Sequence, residues 1–123
     1  MKYIMITGAS SGIGEETARL LARQEDVTTI LVARNEEKLK KLVNEFGGET
    51  KYLVYDLTDV WHIESCFIKC REWGIKLDGL IHCAGIGENM PIRLIQTEHI
   101  KKMYQIHPMA FIELGKYFSK RKY

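Results

Sequence analysis

At 123 residues the chain is shorter than the roughly 150 of a typical domain, which excludes two independently folding units. Hydrophobic residues make up 46% and charged residues 28%, which excludes the low-hydrophobicity, high-charge corner occupied by disordered chains. Eighteen lysines and arginines against sixteen aspartates and glutamates leave +2, too weak a field to make nucleic acid the default partner.

The chain opens MKYIMITGAS, and Tyr3 to Thr7 is a short apolar run without polar alternation, as expected of a strand covered on both faces. The run is too short for a signal-peptide core, and no apolar stretch approaches the ~18 residues of a membrane span. Ile13, Thr17, Leu20 and Leu21 then recur at helical spacing, predicting a helix over Ile13 to Ala22. Thr28 to Ala33 reads as a second buried strand. Asn35 can cap a helix through Phe46 with Leu39, Leu42, Val43 and Phe46 on one face, stopped by Gly47 and Gly48. Lys51 to Tyr55 is a third strand, followed by a helix that starts at Thr58 or Asp59 and ends near Trp73. Leu77 to Cys83 makes a fourth strand. From Thr97 to about Ser119 a long helix places Ile100, Met103, Tyr104, His107, Ala110, Phe111, Leu114 and Tyr117 on one stripe, with a kink expected at Pro108 that frees the carbonyl of Tyr104.

Strands alternating with helices of this length predict one α/β domain over residues 1–123, a doubly wound parallel sheet with helices on both faces. Ligands of such sheets bind beyond the carboxyl ends of the strands, where strand order reverses. Cys66, Cys70 and Cys83 are an odd number at spacings that fit no disulfide framework, so free thiols in a reducing compartment, the cytoplasm, are expected. His62, Cys66 and Cys70 are spaced by four. They stack along one helix with Ile63, Phe67 and Trp73 and cannot surround a tetrahedral ion, so no metal site is expected.

Gly8, Gly12 and Gly14 lie in TGASSGIG, directly after the first strand and opening the first helix. Glycine lets such a turn take positive φ and approach a phosphate, while the free amides and dipole of the helix start favour negative charge. The turn, with Ser10, Ser11 and Ile13 between its glycines, is therefore read as a pyrophosphate cradle; a plain strand-to-helix turn is the competing account. Where a dinucleotide fold selecting NAD carries an acid, at the end of the second strand, this chain has Ala33 followed by Arg34. A guanidinium pairs with a 2′-phosphate and no carboxylate repels it, which favours NADP over NAD; the bland alternative is a solvated arginine ahead of the Asn35 cap.

TGASSGIG after the first strand, Arg34 after the second, DLTD at Asp56 to Asp59 and CAG at Cys83 to Gly85 together resemble the short-chain dehydrogenase/reductase family. The resemblance covers essentially the whole chain but only the amino-terminal half of a family member. It implies a Rossmann-like sheet in strand order 3-2-1-4 and hydride transfer between a nicotinamide cofactor and a carbonyl or alcohol. It also implies that Asp56 accepts from the adenine amino group, with Leu57 beside the base and Cys83, Ala84 and Gly85 near the cofactor. Two departures stand out. Cys83 replaces the family's asparagine, turning an amide that ties strands together into a thiol. His107 falls where the family has an asparagine whose backbone carbonyl holds a water of the proton relay, and it is the one catalytic-set candidate here.

The family's acid/base tyrosine, with a lysine four residues on, has no counterpart. Tyr52 is followed at plus four by Asp56 and Tyr117 by Arg121. The expectation is a chain that binds the dinucleotide and is inactive alone, the alternative being a non-catalytic nucleotide-binding or dimerising module. An apolar fourth strand left at a sheet edge predicts self-association through that edge or through the long helix.

Overall fold

The structure is a computed structural model that describes residues 1–86 and 90–123. Four parallel strands, β1 (Lys2–Thr7), β2 (Val27–Ala33), β3 (Lys51–Val54) and β4 (Gly79–His82), form one sheet in the order β3-β2-β1-β4. Strand order reverses at β1, whose carboxyl end, Thr7, is registered against both Val32 of β2 and His82 of β4. The helices are α1 (Gly12–Ala22), α2 (Glu36–Phe46), α3 (Glu64–Glu72), α4 (Thr97–Tyr104) and α5 (Ala110–Phe118). No helix among the described residues is long and apolar enough to cross a membrane.

Alternation along the strands divides the core in two, because successive side chains leave opposite faces of the sheet. Ile6, Leu31 and Ala33 meet Ala18 of α1 and Leu39 and Leu42 of α2. Met5, Ile30 and Val32 meet Phe67 of α3, with Ala110 and Leu114 of α5. Cys66 and Cys70 belong to this second layer, where burial pushes their thiols up to about 12 and about 11. His62 faces away, its Nδ1 2.9 Å from Asp59.

Two local expectations, the start of α3 and the face of the long helix, are corrected. The first helix forms where its periodicity predicts it; Gly14 and Ala18 are buried and Leu21 packs against the same layer, while Ile13 is 80% and Leu20 61% exposed. The helix lies so close to β1 that only small residues fit between them. Before α3, Asp59 caps a 3-10 turn, Val60–His62, by accepting from the Trp61 amide, and the α-helix proper starts at Glu64. The long helix is split by a π turn, Gln105–Met109, around Pro108. Proline has no N–H to give and crowds the preceding turn, and the wider turn absorbs that defect. The extra residue rotates Tyr104 and His107 to the surface and turns Ile106 inward with Ala110 and Leu114.

The α2 cap is as the residues predict: Asn35 accepts from the Lys38 amide, and Gly47 ends the helix at φ 68°. Phe67→Ala is expected to lower the unfolding free energy by about 3–5 kcal/mol, because a fully buried ring is replaced by a void. Ile13→Ala should change it by less than about 0.5 kcal/mol. Urea denaturation of both variants checks the contrast, and comparable losses would refute this assignment of the α1 faces.

Candidate functional site

The tips of β1, β2 and β4 converge on an open groove of about 110 Å3. Gly8, Ser10 and Ser11 of the glycine turn line one side of it, Val32, Ala33 and Arg34 the end of β2, and Tyr55, Leu57, Cys83, Ala84, Gly85 and Ile106 the remainder.

The three glycines of the turn have three separate reasons to be glycine. Gly8 takes φ 65°, and a Cβ there would lie 2.6 Å from the Ala84 amide nitrogen, so the turn packs directly on the backbone after β4. A Cβ on Gly14 would collide with the Gly8 carbonyl oxygen, which fixes how closely α1 approaches β1. Gly12, at φ 54°, meets nothing within 4 Å. It opens α1 onto free space, with Ser11 at the N-cap position making no side-chain cap bond. A helix start with uncapped amides and a free hydroxyl has the chemistry to hold an anion such as a diphosphate.

Asp56 stands at the rim between Tyr55 and Leu57. Its Oδ1 accepts from the amide and the hydroxyl of Thr58, at 3.0 and 2.8 Å. Partial burial alone would raise its carboxyl. The two Thr58 bonds, together with Arg34 and Lys102, outweigh that and hold it below the usual carboxylate range. Asp56 is thus a fixed anion with a second oxygen open to an N–H donor. Tyr55 donates its hydroxyl to the Asp59 carbonyl at 2.6 Å and serves as a wall of the groove.

An adjoining cavity is bounded by Ile13, His82, Cys83, His107, Pro108 and Phe111. His107 packs over Gly85, where a Cβ would run into the imidazole, and its Nε2 lies 2.8 Å from the Ile86 carbonyl. Its ring therefore braces the segment after β4. In the π turn the Ala110 amide reaches the carbonyls of Gln105 and His107 and bypasses that of Ile106. The carbonyl taken by a side chain is accordingly that of Ile106, where Tyr104 was expected.

That side chain is His82, which periodicity and motif spacing do not single out, any more than they do Thr7. Thr7 is fully buried; its Oγ1 lies 2.7 Å from His82 Nδ1 and within 3.2 Å of the Cys83 and Ala84 amides. His82 Nε2 lies 3.0 Å from the Ile106 carbonyl. The tie between strand tips that Cys83 cannot make through its side chain is made by these neighbours. A signal was present: each of two apolar strands ends on a polar residue.

The family description "short chain dehydrogenase" matches residues 2–121. A benzil reductase ((S)-benzoin forming) of Saccharomyces cerevisiae is 35% identical over 119 residues, 92% of this chain and 44% of that protein. An alcohol dehydrogenase from the archaeon Thermococcus sibiricus, complexed with 5-hydroxy-NADP, superposes with a TM-score of 0.83 at 30% identity, over 96% of this chain and 52% of that one. A 4-hydroxyisoleucine dehydrogenase complexed with NADH gives 0.86 at 26% identity, over 98% and 49%. The chain spans about half the length of the proteins it matches.

The glycine geometry is separable by substitution. Gly14→Ala forces a methyl group onto a carbonyl and is expected to destabilise the chain by about 3 kcal/mol or more. Gly12→Ala meets open space and should cost only the ~1–2 kcal/mol of a left-handed backbone. Thermal unfolding followed by circular dichroism distinguishes them, and equal losses would contradict the packing described.

Proposed function

Since the chain belongs to the short-chain dehydrogenase family, we propose that residues 1–123 form the NADP-binding half of an oxidoreductase acting on a carbonyl or alcohol. The observation that carries the NADP preference is the end of β2. Ala33 and Arg34 line the same groove as the glycine turn, with a guanidinium where an NAD-selective site would hold a carboxylate. In this reading the amides of the α1 start, with Ser10 and Ser11, hold the diphosphate, and Arg34 pairs with the 2′-phosphate. Asp56 accepts from the adenine amino group beside Leu57. Cys83, Ala84 and Gly85 form the floor on which the nucleotide lies, and Ile13 and His107 border the cavity next to it.

When bound, the nicotinamide supplies or accepts the hydride. These residues bind and orient it, and none of the tyrosines has a lysine four residues on, so nucleotide binding without turnover is the expected behaviour of the 123-residue chain alone. The archaeal alcohol dehydrogenase is complexed with 5-hydroxy-NADP and the 4-hydroxyisoleucine dehydrogenase with NADH, so structural likeness is compatible with either nucleotide. The choice between them rests on Arg34.

Self-association in the cytoplasm completes the reading. Trp61 is 78% and Ile112 64% exposed, and with Met109 and Tyr117 they border one apolar depression beside α5. A face of this kind, on the same layer as the edge strand β4, suits a second copy of the chain.

Titration calorimetry with NADPH and NADH tests the cofactor assignment. Charge-assisted hydrogen bonds contribute about 1.5–3 kcal/mol, so Arg34→Ala should weaken NADPH roughly ten- to a hundredfold and leave NADH unchanged. Equal affinities in the parent chain would overturn the preference. For the second claim, light scattering should give a mass above the 14.3 kDa of one chain, falling to that value in Ile112→Asp. A monomeric parent would refute it.

A further inference from the structure

The hydrogen bonds joining Thr7, His82 and Ile106 can be assigned proton by proton. Thr7 Oγ1 lies 3.1 Å from the Cys83 amide nitrogen and 3.2 Å from that of Ala84. Amides only donate, so both acceptor positions of the hydroxyl are filled, and its single proton is left for His82 Nδ1 at 2.7 Å. Nδ1 therefore accepts, and the ring proton sits on Nε2, 3.0 Å from the Ile106 carbonyl, which can only accept. One tautomer of the neutral ring satisfies every partner. The other tautomer leaves Ile106 without a donor and turns an N–H onto a saturated hydroxyl. The imidazolium makes that same second conflict.

We infer that His82 is a proton-gated positioning residue: neutral, it clamps the tip of β4 to β1 and to the π turn, and charged, it keeps its Nε2–H on the Ile106 carbonyl but turns a second N–H onto the filled Thr7 hydroxyl, so the tie to β1 breaks. The consequence follows from what the two partners of the ring hold. Ile106 lines the groove together with Gly8, Ser10 and Ser11, while His82 itself lines the neighbouring cavity. Thr7 holds the Cys83 and Ala84 amides, and Gly8 packs on Ala84. The lining of the groove thus depends on one imidazole at two points. The gating of nucleotide affinity rests on the dinucleotide reading above; the clamp itself does not.

The groups around the ring come from every neighbouring element. β1 contributes Thr7, and the π turn contributes the Ile106 carbonyl and His107. The Phe111 ring of α5 is 6.0 Å from the imidazole, and Ile13 of α1 borders the same cavity. His107 and Cys83 are the titratable neighbours there, and among the described residues no carboxylate lines the cavity. Burial, and then the like charge of His107, lower the proton affinity of His82, against the opposing effect of the bond to Ile106. The sign follows. With the folded value below that of the unfolded chain, the clamp is whole above the ordinary histidine range and fails as pH falls through the folded value.

Nuclear magnetic resonance of the nitrogen-15-labelled chain reads the clamp without any ligand. Near neutral pH, His82 should show the Nε2–H tautomer with Nδ1 as acceptor. On acidification the Cys83 and Ala84 amides should shift in the same step as the ring. Thr7→Ser, which keeps the hydroxyl, should retain the signature, and Thr7→Val should lose it. An Nδ1–H tautomer, or amides indifferent to the His82 titration, would overturn the clamp. NADPH affinity of the parent should fall about tenfold per pH unit below the His82 value. His82→Gln, which offers a donor and an acceptor without titrating, should flatten that dependence, and a profile as steep as the parent's would overturn the gate. Absence of NADPH binding at every pH would refute the dinucleotide reading, and the tautomer and amide shifts would still decide the clamp.

Discussion

The architecture depends on one close approach of backbone to backbone. The turn after β1 lies against Ala84 on one side and receives α1 on the other, with no room for a Cβ at Gly8 or Gly14. Because β1 sits between β2 and β4, this contact sets the separation of the two strand tips that flank it. The groove opens there for a topological reason. The crossover from β1 to β2 carries α1 to one face of the sheet, and the helices that pack beside β4 lie on the other, so the chain parts above β1. A Cβ on Gly12 would meet nothing within 4 Å, so the start of α1, with its dipole, is left uncovered there.

Charge is distributed around the groove in keeping with a ligand that is negative in the middle and polar at one end. The α1 start and Arg34 present positive potential, while Asp56, held ionised by the Thr58 bonds in spite of partial burial, presents a fixed anion. In the reading proposed above, such an arrangement would discriminate by geometry as much as by net charge, a phosphate being attracted near Arg34 and an amino group oriented near Asp56. The overall +2 of the chain has little part in it.

The second organising device is the π turn. Pro108 makes a regular helix impossible at that point, and the Ala110 amide passes over the Ile106 carbonyl. A carbonyl released inside a protein requires a donor, and His82 reaches it from the neighbouring strand tip. Helix irregularity and strand-end chemistry are thereby one feature, shared between the groove and the cavity beside it.

The sequence by itself determined the element order, the sheet topology implied by its motifs, and part of the groove lining: Gly8, Ser10, Ser11, Arg34, Leu57 and Cys83 to Gly85, but not Tyr55 or Ile106. Those depend on local signals: strand-length apolar runs, Asn35 and Gly47 as helix ends, and glycines at fixed offsets after a strand. Helical periodicity placed α1, but it counts hydrophobicity and cannot register that Gly14 and Ala18 are the buried positions while Ile13 and Leu20 are exposed. It misjudged the long helix, since the residue inserted at Pro108 changes which positions share a face. Thr7 and His82 are 75 residues apart, and only the parallel pairing of β1 with β4 makes them neighbours. Their joint role, with the Ile106 carbonyl, was decided by tertiary structure, because a hydrogen-bonded bridge between separate elements leaves no periodic trace in any one of them.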